Sequence, residues 1–387
     1  MLERPISKAG WTRVAFGDMV RLSKARVADP EAAGIERVVG LEHIEPGDLR
    51  IRRWGDVADG TTFTTLFKPG QVLFGKRRAY QRKVAVADFE GVCSGDIYVL
   101  ESANDRLLPE LLPFLCQTDA FFDHAVGTSA GSLSPRTNWT SLASFEFLLP
   151  PIQEQARLVE ALLSTEAAIA ANRNFRQHAW SANLANYDDV VGREVSLFHP
   201  DQDLRRKGNG LWEVVPLKDA VSIINSLRRP ISSEIRETMR GEYPYYGATG
   251  EIDRINEFRL EGHYSLIGED GDHFLKYRIQ PMTQRVFGKF NVNNHAHVVA
   301  GTDRCLVDWF DRFYRYRNVR VWLTKQGASR LKLKKDTLVD MPIALPSLDE
   351  QQQLIKRLDA TEEAVRQIDV RLQSLSAIKS KLLTNIA

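Results

Sequence analysis

Leu149-Pro150-Pro151-Ile152-Gln153-Glu154-Gln155 and Leu345-Pro346-Ser347-Leu348-Asp349-Glu350-Gln351 decide how this chain is read. They stand 196 residues apart and share the pattern Leu-Pro-x-aliphatic-x-Glu-Gln. Gly131 and Leu142 precede the first stretch just as Gly327 and Leu338 precede the second. Far upstream of each lies a second anchor. Trp11-Thr-Arg-Val14-Ala-Phe16-Gly-Asp18-Met-Val20 is answered 201 residues later by Trp212-Glu-Val-Val215-Pro-Leu217-Lys-Asp219-Ala-Val221. Two anchors at nearly constant spacing, with unlike residues between them, indicate a tandem duplication whose middles have diverged.

Each copy runs from its Leu-Pro motif into a helical pattern. Ser347 is placed to cap the second helix, and Asp349 and Glu350 favour the positive end of its dipole. Neither Gly nor Pro interrupts the forty residues that follow. Leu354, Leu358, Thr361, Val365, Ile368, Leu372, Leu375, Lys379 and Leu382 alternate steps of four and three, a heptad seam that calls for a second long helix. At 1.5 Å per residue such a helix reaches roughly 55 Å. The first copy supplies the partner from Gln153 to about Glu194, with Leu158, Leu162, Thr165 and Ile169 on the equivalent seam. Beyond them Asn172 and Arg176 replace Ile368 and Leu372. A stutter that brings Phe175, Ala179 and Ala182 into the seam, with a bend or an end of the helix near Asn183, is therefore expected. The polar, Gly-bearing stretch 199–210 reads as a linker.

The two middles read as mixed α and β. Val72, Phe74, Val84 and Val86 alternate around a basic turn, and the segment around Val286–Val299 reads as strands. Trp309 to Gln326 reads as a helix. The basic turn carries Lys76, Arg77, Arg78, Arg82 and Lys83 with Tyr80 and Gln81, and Arg50, Arg52 and Arg53 lie upstream. Closely spaced cations track phosphates, and Arg, Gln and Tyr also reach base edges. The second half has Arg312, Arg315, Arg317 and Arg320, then Arg330, Lys332, Lys334 and Lys335. In both halves the alternative is a solvated charged surface.

Composition narrows the classes. The 387 residues hold 52 Lys and Arg against 50 Asp and Glu, a net charge of +2 that excludes a tail-driven polyanion binder but not a basic face. Cys93, Cys116 and Cys305 are odd in number and widely spaced, so neither a disulfide framework nor a zinc knuckle is expected, and a reducing cytoplasm fits. No signal-like or membrane-spanning apolar run occurs. No phosphate loop, dinucleotide fingerprint or nucleophile elbow is present. Glu269-Asp270-Gly-Asp272, with His263, His273, His295 and His297 elsewhere in the half, leaves open a metal-dependent nuclease. An acidic turn is the plainer reading, and no metal site is expected.

The duplicated Leu-Pro motifs, each opening a long helix, resemble the specificity subunit of Type I restriction–modification systems. Further stretches carry the resemblance: Trp11–Val20, VGLEHIEPGDL (Val39–Leu49), YPYYGATGEI (Tyr243–Ile252), LIGEDG (Leu266–Gly271) and VFGKFNVNNHAHVV (Val286–Val299). The resemblance covers essentially the whole chain. It implies an α+β fold: two mixed α/β target recognition domains separated by two long antiparallel coiled-coil helices, a pseudo-twofold tandem repeat. The expected division is 1–150 for the first recognition domain and 151–198 for the central helix. The second domain, with its linker, takes 199–346, and the second helix takes 347–387. The resemblance also implies that each domain reads half of a bipartite target in double-stranded DNA. Two methyltransferase subunits with S-adenosylmethionine, and restriction subunits with ATP and Mg, would carry the chemistry, so this chain would be no enzyme. A scaffold that reads no DNA is the remaining alternative.

The residues expected at DNA are Lys76, Arg77, Arg78, Arg82 and Lys83 in the first domain. In the second they are Tyr245, Tyr246, Lys289, Asn293, Asn294 and His295, since Asn can pair bidentately with adenine. Leu158, Leu162, Ile169, Leu354, Leu358, Val365, Ile368, Leu372 and Leu375 are expected in the helix pair.

Overall fold

The computed structural model describes residues 8–192, 212–326 and 330–386. The chain folds as two compact units. One comprises Met1–Arg173 with Val370–Ala387, the other Asn174–Asp369. The expected linker at 199–210 and the match of Gly327 to Gly131 lie outside the described residues.

Both units are built on one frame, and the repeated motif explains it. In the first unit Thr12–Ala15 pairs antiparallel with Glu146–Leu149. In the second Glu213–Pro216 pairs antiparallel with Pro342–Leu345. Each pair thus joins the Trp anchor to the Leu-Pro anchor. The Trp11 indole donates to Glu154 at 2.6 Å, and the Trp212 indole donates to Glu350 at 3.0 Å. The glutamine that follows is fully buried in both copies. The Gln155 amide donates to the carbonyls of Arg106 and Pro150 and accepts from the Leu108 N–H. The Gln351 amide does the same with Arg304, Pro346 and Leu306. A buried amide whose hydrogen bonds are all met fixes its neighbours firmly, because leaving those groups unpaired costs about 1–3 kcal/mol each.

The inserts differ. The first unit holds two four-stranded sheets. One has the order Val20–Leu22, Ile97–Ser102, Val72–Gly75, Val84–Val86, antiparallel throughout. The other has the order Gly55–Asp56, Arg37–Val39, Gly91–Cys93, Thr65–Phe67, with a parallel central pair. The second unit holds one six-stranded sheet, Ser222–Ile223, Ala296–Ala300, Leu260–Gly268, Thr283–Val292, Arg240–Tyr246, Glu251–Ile255. Its Arg240–Tyr246 and Thr283–Val292 strands run parallel. Cys93, Cys116 and Cys305 are reduced and fully buried.

The two long helices are Ile152–Tyr187 and Leu348–Ile386. Ser347 caps the second, its hydroxyl accepting from the Glu350 N–H at 3.3 Å. Each unit contains a stretch of both helices, running antiparallel. In the first unit Leu158 and Leu162 share a core with Leu382 and Ile386, and Glu166 pairs with Lys379. In the second, Arg176 pairs with Asp369, Thr361 donates to Asn183 at 2.8 Å, and Arg357 pairs with Asp189 at 2.8 Å.

The seam differs from the expectation in two respects. No stutter occurs: Phe175 is 65% exposed, Ala182 is exposed and Ala179 is half-buried. The heptad register instead continues through Asn172 and Asn183, both buried, and Asn186, which donates to Thr361. Nor does the helix end near Asn183; it reaches Tyr187 and widens into a π turn over Asp188–Gly192. Polar residues that find partners keep the seam without apolar ones. Leu158, Leu162, Ile169, Leu358 and Val365 are buried, whereas Leu354, Ile368, Leu372 and Leu375 are half-buried.

The helix expected over Trp309–Gln326 is Val307–Tyr314 only; the chain then turns and forms a strand at Thr324–Gln326. Arg312, Arg315 and Arg317 are turned toward protein partners, whereas Arg320 is exposed. Arg312 pairs with Asp359 and Glu362, and Arg315 with Asp311 and Glu362. Arg285 joins them through Asp359 at 2.9 Å and Asp308 at 3.0 Å. Arg317 donates to the carbonyls of Phe313 and Val191. This cluster ties the second unit's globular part to the Leu348–Ile386 helix, which corrects its reading as a polyanion-facing surface. Burial pushes the Glu362 carboxyl up, but Arg315 and Arg312 more than offset this and hold it below its ordinary value.

Candidate nucleic-acid interface

Strands Val72–Gly75 and Val84–Val86 pair antiparallel, so residues 76–83 form the turn between them. A single helical turn, Ala79–Gln81, occupies its middle. Arg78 and Arg82 flank it with φ of 54° and 57°. They are the only non-glycine residues at positive φ among the described residues. Such backbone persists only where its surroundings impose it. Here Arg77 and Arg78 both donate to the Ser134 hydroxyl, at 3.0 and 3.1 Å. The Arg78 N–H reaches the Pro135 carbonyl at 2.7 Å. Asp96 accepts from Arg77 and Arg136 at 3.1 and 2.8 Å. Partial burial raises the Asp96 pKa, but Arg136 and Arg77 more than compensate, so it stays below its ordinary value.

The five cations play different parts. Arg77 is committed to Asp96 and Ser134. Arg82 lies over the Phe122 ring and donates to Asp119 at 2.6 Å. Lys83 donates to the Leu41 carbonyl at 2.6 Å. Lys76 sits over the Tyr98 ring, 4.6 Å from its centre. Arg78 uses one N–H on Ser134, and Tyr80 is 56% exposed at the turn. The turn therefore presents Lys76, Arg78 and Tyr80 on a base braced by Arg77, Arg82 and Lys83. Of the upstream arginines, Arg52 pairs with Asp48 and Arg53 with Glu45.

In the second unit the structure brings some candidates together. Strands Thr283–Val292 and Ala296–Ala300 are joined by Asn293, Asn294 and His295. The Asn293 side chain accepts from the His295 N–H at 2.8 Å, and its N–H donates to the Tyr246 carbonyl at 3.0 Å. His295 pairs with Asp270 at 2.9 Å. Arg228 pairs with Glu269 at 2.5 Å and donates to the Asn294 carbonyl at 3.3 Å, and Lys332 reaches Glu269 at 3.1 Å. Asn294 is exposed, while Tyr246 is half-buried against Phe290. Lys289 stands apart, exposed over the Phe258 ring and opposite Glu261 in the ladder. Tyr245 is a correction: it is fully buried, and its hydroxyl donates to the Arg229 carbonyl and accepts from the Ile231 N–H. It braces the sheet and offers no surface.

The acidic turn is engaged by its neighbours. Glu269 holds Arg228 and Lys332, Asp270 holds His295, and Asp272 holds Lys276. His297 is buried between the Leu333 carbonyl and Asn225, and burial lowers its pKa. Among the described residues no group of three or more His, Cys, Asp or Glu is arranged to hold a metal ion. No helix of the described residues is long and apolar enough to cross a membrane.

Residues 209–374 match the family of Type I restriction modification DNA specificity domains. A putative type I restriction enzyme specificity subunit of Haemophilus influenzae, S.HindORF215P, is 36% identical over 146 residues, which cover 38% of this chain and 36% of that protein. The match thus spans about a third of the length of that curated relative. Among solved structures, the S subunit of the Type-I restriction-modification system from M. genitalium superposes with a TM-score of 0.64 at 14% identity, over 99% of this chain and 98% of that one. A chain from a structure concerning assembly and conformational transition of the type I R-M system gives 0.54 at 17% identity, over 97% of each chain. Residues 209–374 are therefore similar to Type I restriction modification DNA specificity domains, and over nearly its whole length the chain shares the fold of the M. genitalium S subunit.

Proposed function

We propose that this chain is the DNA-sequence-specificity subunit of a Type I restriction–modification complex. Each globular insert reads one half of a bipartite duplex target. The observation that carries this reading is one frame built twice, closed by the same Trp–Glu and Gln–backbone bonds, around two unlike sheets. A shared frame with different inserts is what two different half-sites require. In the first unit Lys76 and Arg78 meet phosphates and Tyr80 lies beside the groove, while Arg77, Arg82 and Lys83 hold the turn in shape. In the second, Asn294 and His295 approach base edges, Asn293 and Tyr246 fix their turn, and Lys289 meets the backbone.

The chain itself is then no enzyme. Two methyltransferase subunits supply S-adenosylmethionine and draw the target base out of the stack, and restriction subunits supply ATP- and Mg-dependent cleavage. The long helices are the scaffold for these subunits, and the complex works in the cytoplasm where the DNA is.

Mapping methylated adenines across a genome, with and without this chain, tests the proposal. The expected result is a single motif of two half-sites, both needed, that disappears with the chain. Equal affinity of the assembled complex for all duplexes would overturn it. Lys76→Gln with Arg78→Gln should weaken binding to every sequence alike and reduce its salt dependence by about two charges.

A further inference from the structure

One apolar side chain of the first unit stands almost free. Leu133 is 90% exposed, more than any other large hydrophobic side chain among the described residues. It sits at the tip of the loop 131–135, next to the exposed Ser132. The base of that loop is held from both sides. Ala130 and Arg136 exchange N–H to carbonyl bonds, each of 3.0 Å, and Gly131 makes the reversal at a φ of 111°. The basic turn grips the same segment. The Ser134 hydroxyl accepts from Arg77 and Arg78, and the Pro135 carbonyl accepts from the Arg78 N–H at 2.7 Å. The Lys76 carbonyl accepts from the Thr137 N–H at 3.0 Å, and Asp96 holds both Arg136 and Arg77. The loop is thus pinned at its base while the leucine at its tip touches almost nothing.

A single exposed leucine is ordinary on a protein surface. Its mounting and its company set this one apart. The segments stitched together here carry Lys76, Arg77, Arg78 and Arg136, with Asp96 as a shared carboxylate, and Tyr80 is exposed on the same turn. The excess of charge is positive. A bare apolar group among cations suits a partner that is anionic outside and apolar within. Duplex DNA is built that way, with phosphates along its edges and stacked bases in its middle. Apolar side chains, leucine among them, enter such stacks from the minor groove, and arginines are drawn in beside them. Freedom on all sides matters as well. A side chain between two base pairs is covered on both faces, whereas contact with a thymine methyl covers one.

We propose that Leu133 is a wedge that enters the base stack of the first half-site from the minor groove, with Lys76 and Arg78 on the phosphates beside the opened step. The inference rests on the reading of this unit as one that recognises DNA. Pyrimidine–purine steps part most easily, so the first half-site should contain a TA or CA step selected for its softness rather than for its base edges. The test uses the full chain assembled with methyltransferase subunits, on a duplex carrying the motif obtained from the methylation map. Each adenine of either strand is replaced in turn by 2-aminopurine, whose fluorescence rises when it loses its stacking. The position of the methylated adenine should brighten with every variant, because the methyltransferase draws that base out, and so reports that the complex is engaged. A second position, at the soft step, should brighten with the parent chain and stay dark with Leu133→Ser. Leu133→Ser should also bind about tenfold more weakly, and Leu133→Met should restore both signals. Parent and variants should melt alike, since the side chain is exposed. An engaged complex in which no second position brightens with the parent chain would overturn the wedge and leave the DNA reading intact. So would a Leu133→Ser chain that binds and brightens as the parent does. Failure of Leu133→Ser only to take up the methyltransferase subunits would make the leucine a protein contact and overturn the wedge as well. A parent complex that prefers no motif would take down the DNA reading, and the wedge with it.

Discussion

The first unit is fastened to the long helices by apolar side chains, and the second by buried ions. Leu158, Leu162, Leu382 and Ile386 share one core with Phe74, Phe114, Phe121 and Phe122. In the second unit Ile355 and Leu358 make an apolar contact, but beside it lies the network of Arg285, Arg312 and Arg315 on Asp311, Asp359 and Glu362. One topology has therefore been closed by two chemistries. The frame demands only that the helix be held, and the means of holding it was free to change after duplication.

The largest expected effect breaks the ionic side. Glu362→Ala leaves Arg312 and Arg315 buried without their shared carboxylate, and should cost the second unit about 3–5 kcal/mol. Urea denaturation followed through Trp180 and Trp309 would measure it; a loss below about 1 kcal/mol would show the arginines find other partners. Replacing the three together, Arg312→Met, Arg315→Leu and Glu362→Leu, should recover most of that stability. On the apolar side, Leu162→Ala should cost the first unit about 2–4 kcal/mol, with little change on adding salt.

A third experiment probes what the halves share. Gln155→Ala and Gln351→Ala each strip three backbone partners, so each should cost about 2–3 kcal/mol, and the two values should agree within about 1 kcal/mol. Unequal losses would mean the repeated motif is not equally structural in both. The smallest effect concerns acid. Glu362 is held below its ordinary value of 4.5, so its contribution is complete above that pH and fades as the pH falls through its lower folded value. Melting of the parent and of Glu362→Gln should therefore differ above pH 4.5 and converge below it. A gap that persists undiminished into acid would assign the stability to packing instead.

The frame was legible because its partners recur as a motif. Trp11 and Glu154 lie far apart in the chain, but the second copy repeats them as Trp212 and Glu350, and the repetition marks the contact. The Leu348–Ile386 helix was legible from an uninterrupted seam. What failed was any inference that needed to know which way a charge points. Arg312 and Arg315 look like a solvated basic run until Asp359 and Glu362, nearly fifty residues later, are brought beside them. Tyr245 and Tyr246 are adjacent on one strand and face opposite ways, so both could not serve as contacts. The polar seam at Asn172 and Asn183 read as a break because apolar residues were sought where hydrogen-bonding ones suffice. In the basic turn the cations were visible, but the clamp of Asp96, Ser134 and Arg136 was not, since it comes from other parts of the chain.

The three buried thiols divide unevenly between the halves, Cys93 and Cys116 in the first unit and Cys305 in the second. Burial pushes Cys93 and Cys305 up to about 12, where almost no reactive thiolate exists at neutral pH. A thiol reagent can then modify each half only while that half is open. The molecule carries its own pair of clocks, and the order in which the cysteines label would tell which half breathes first.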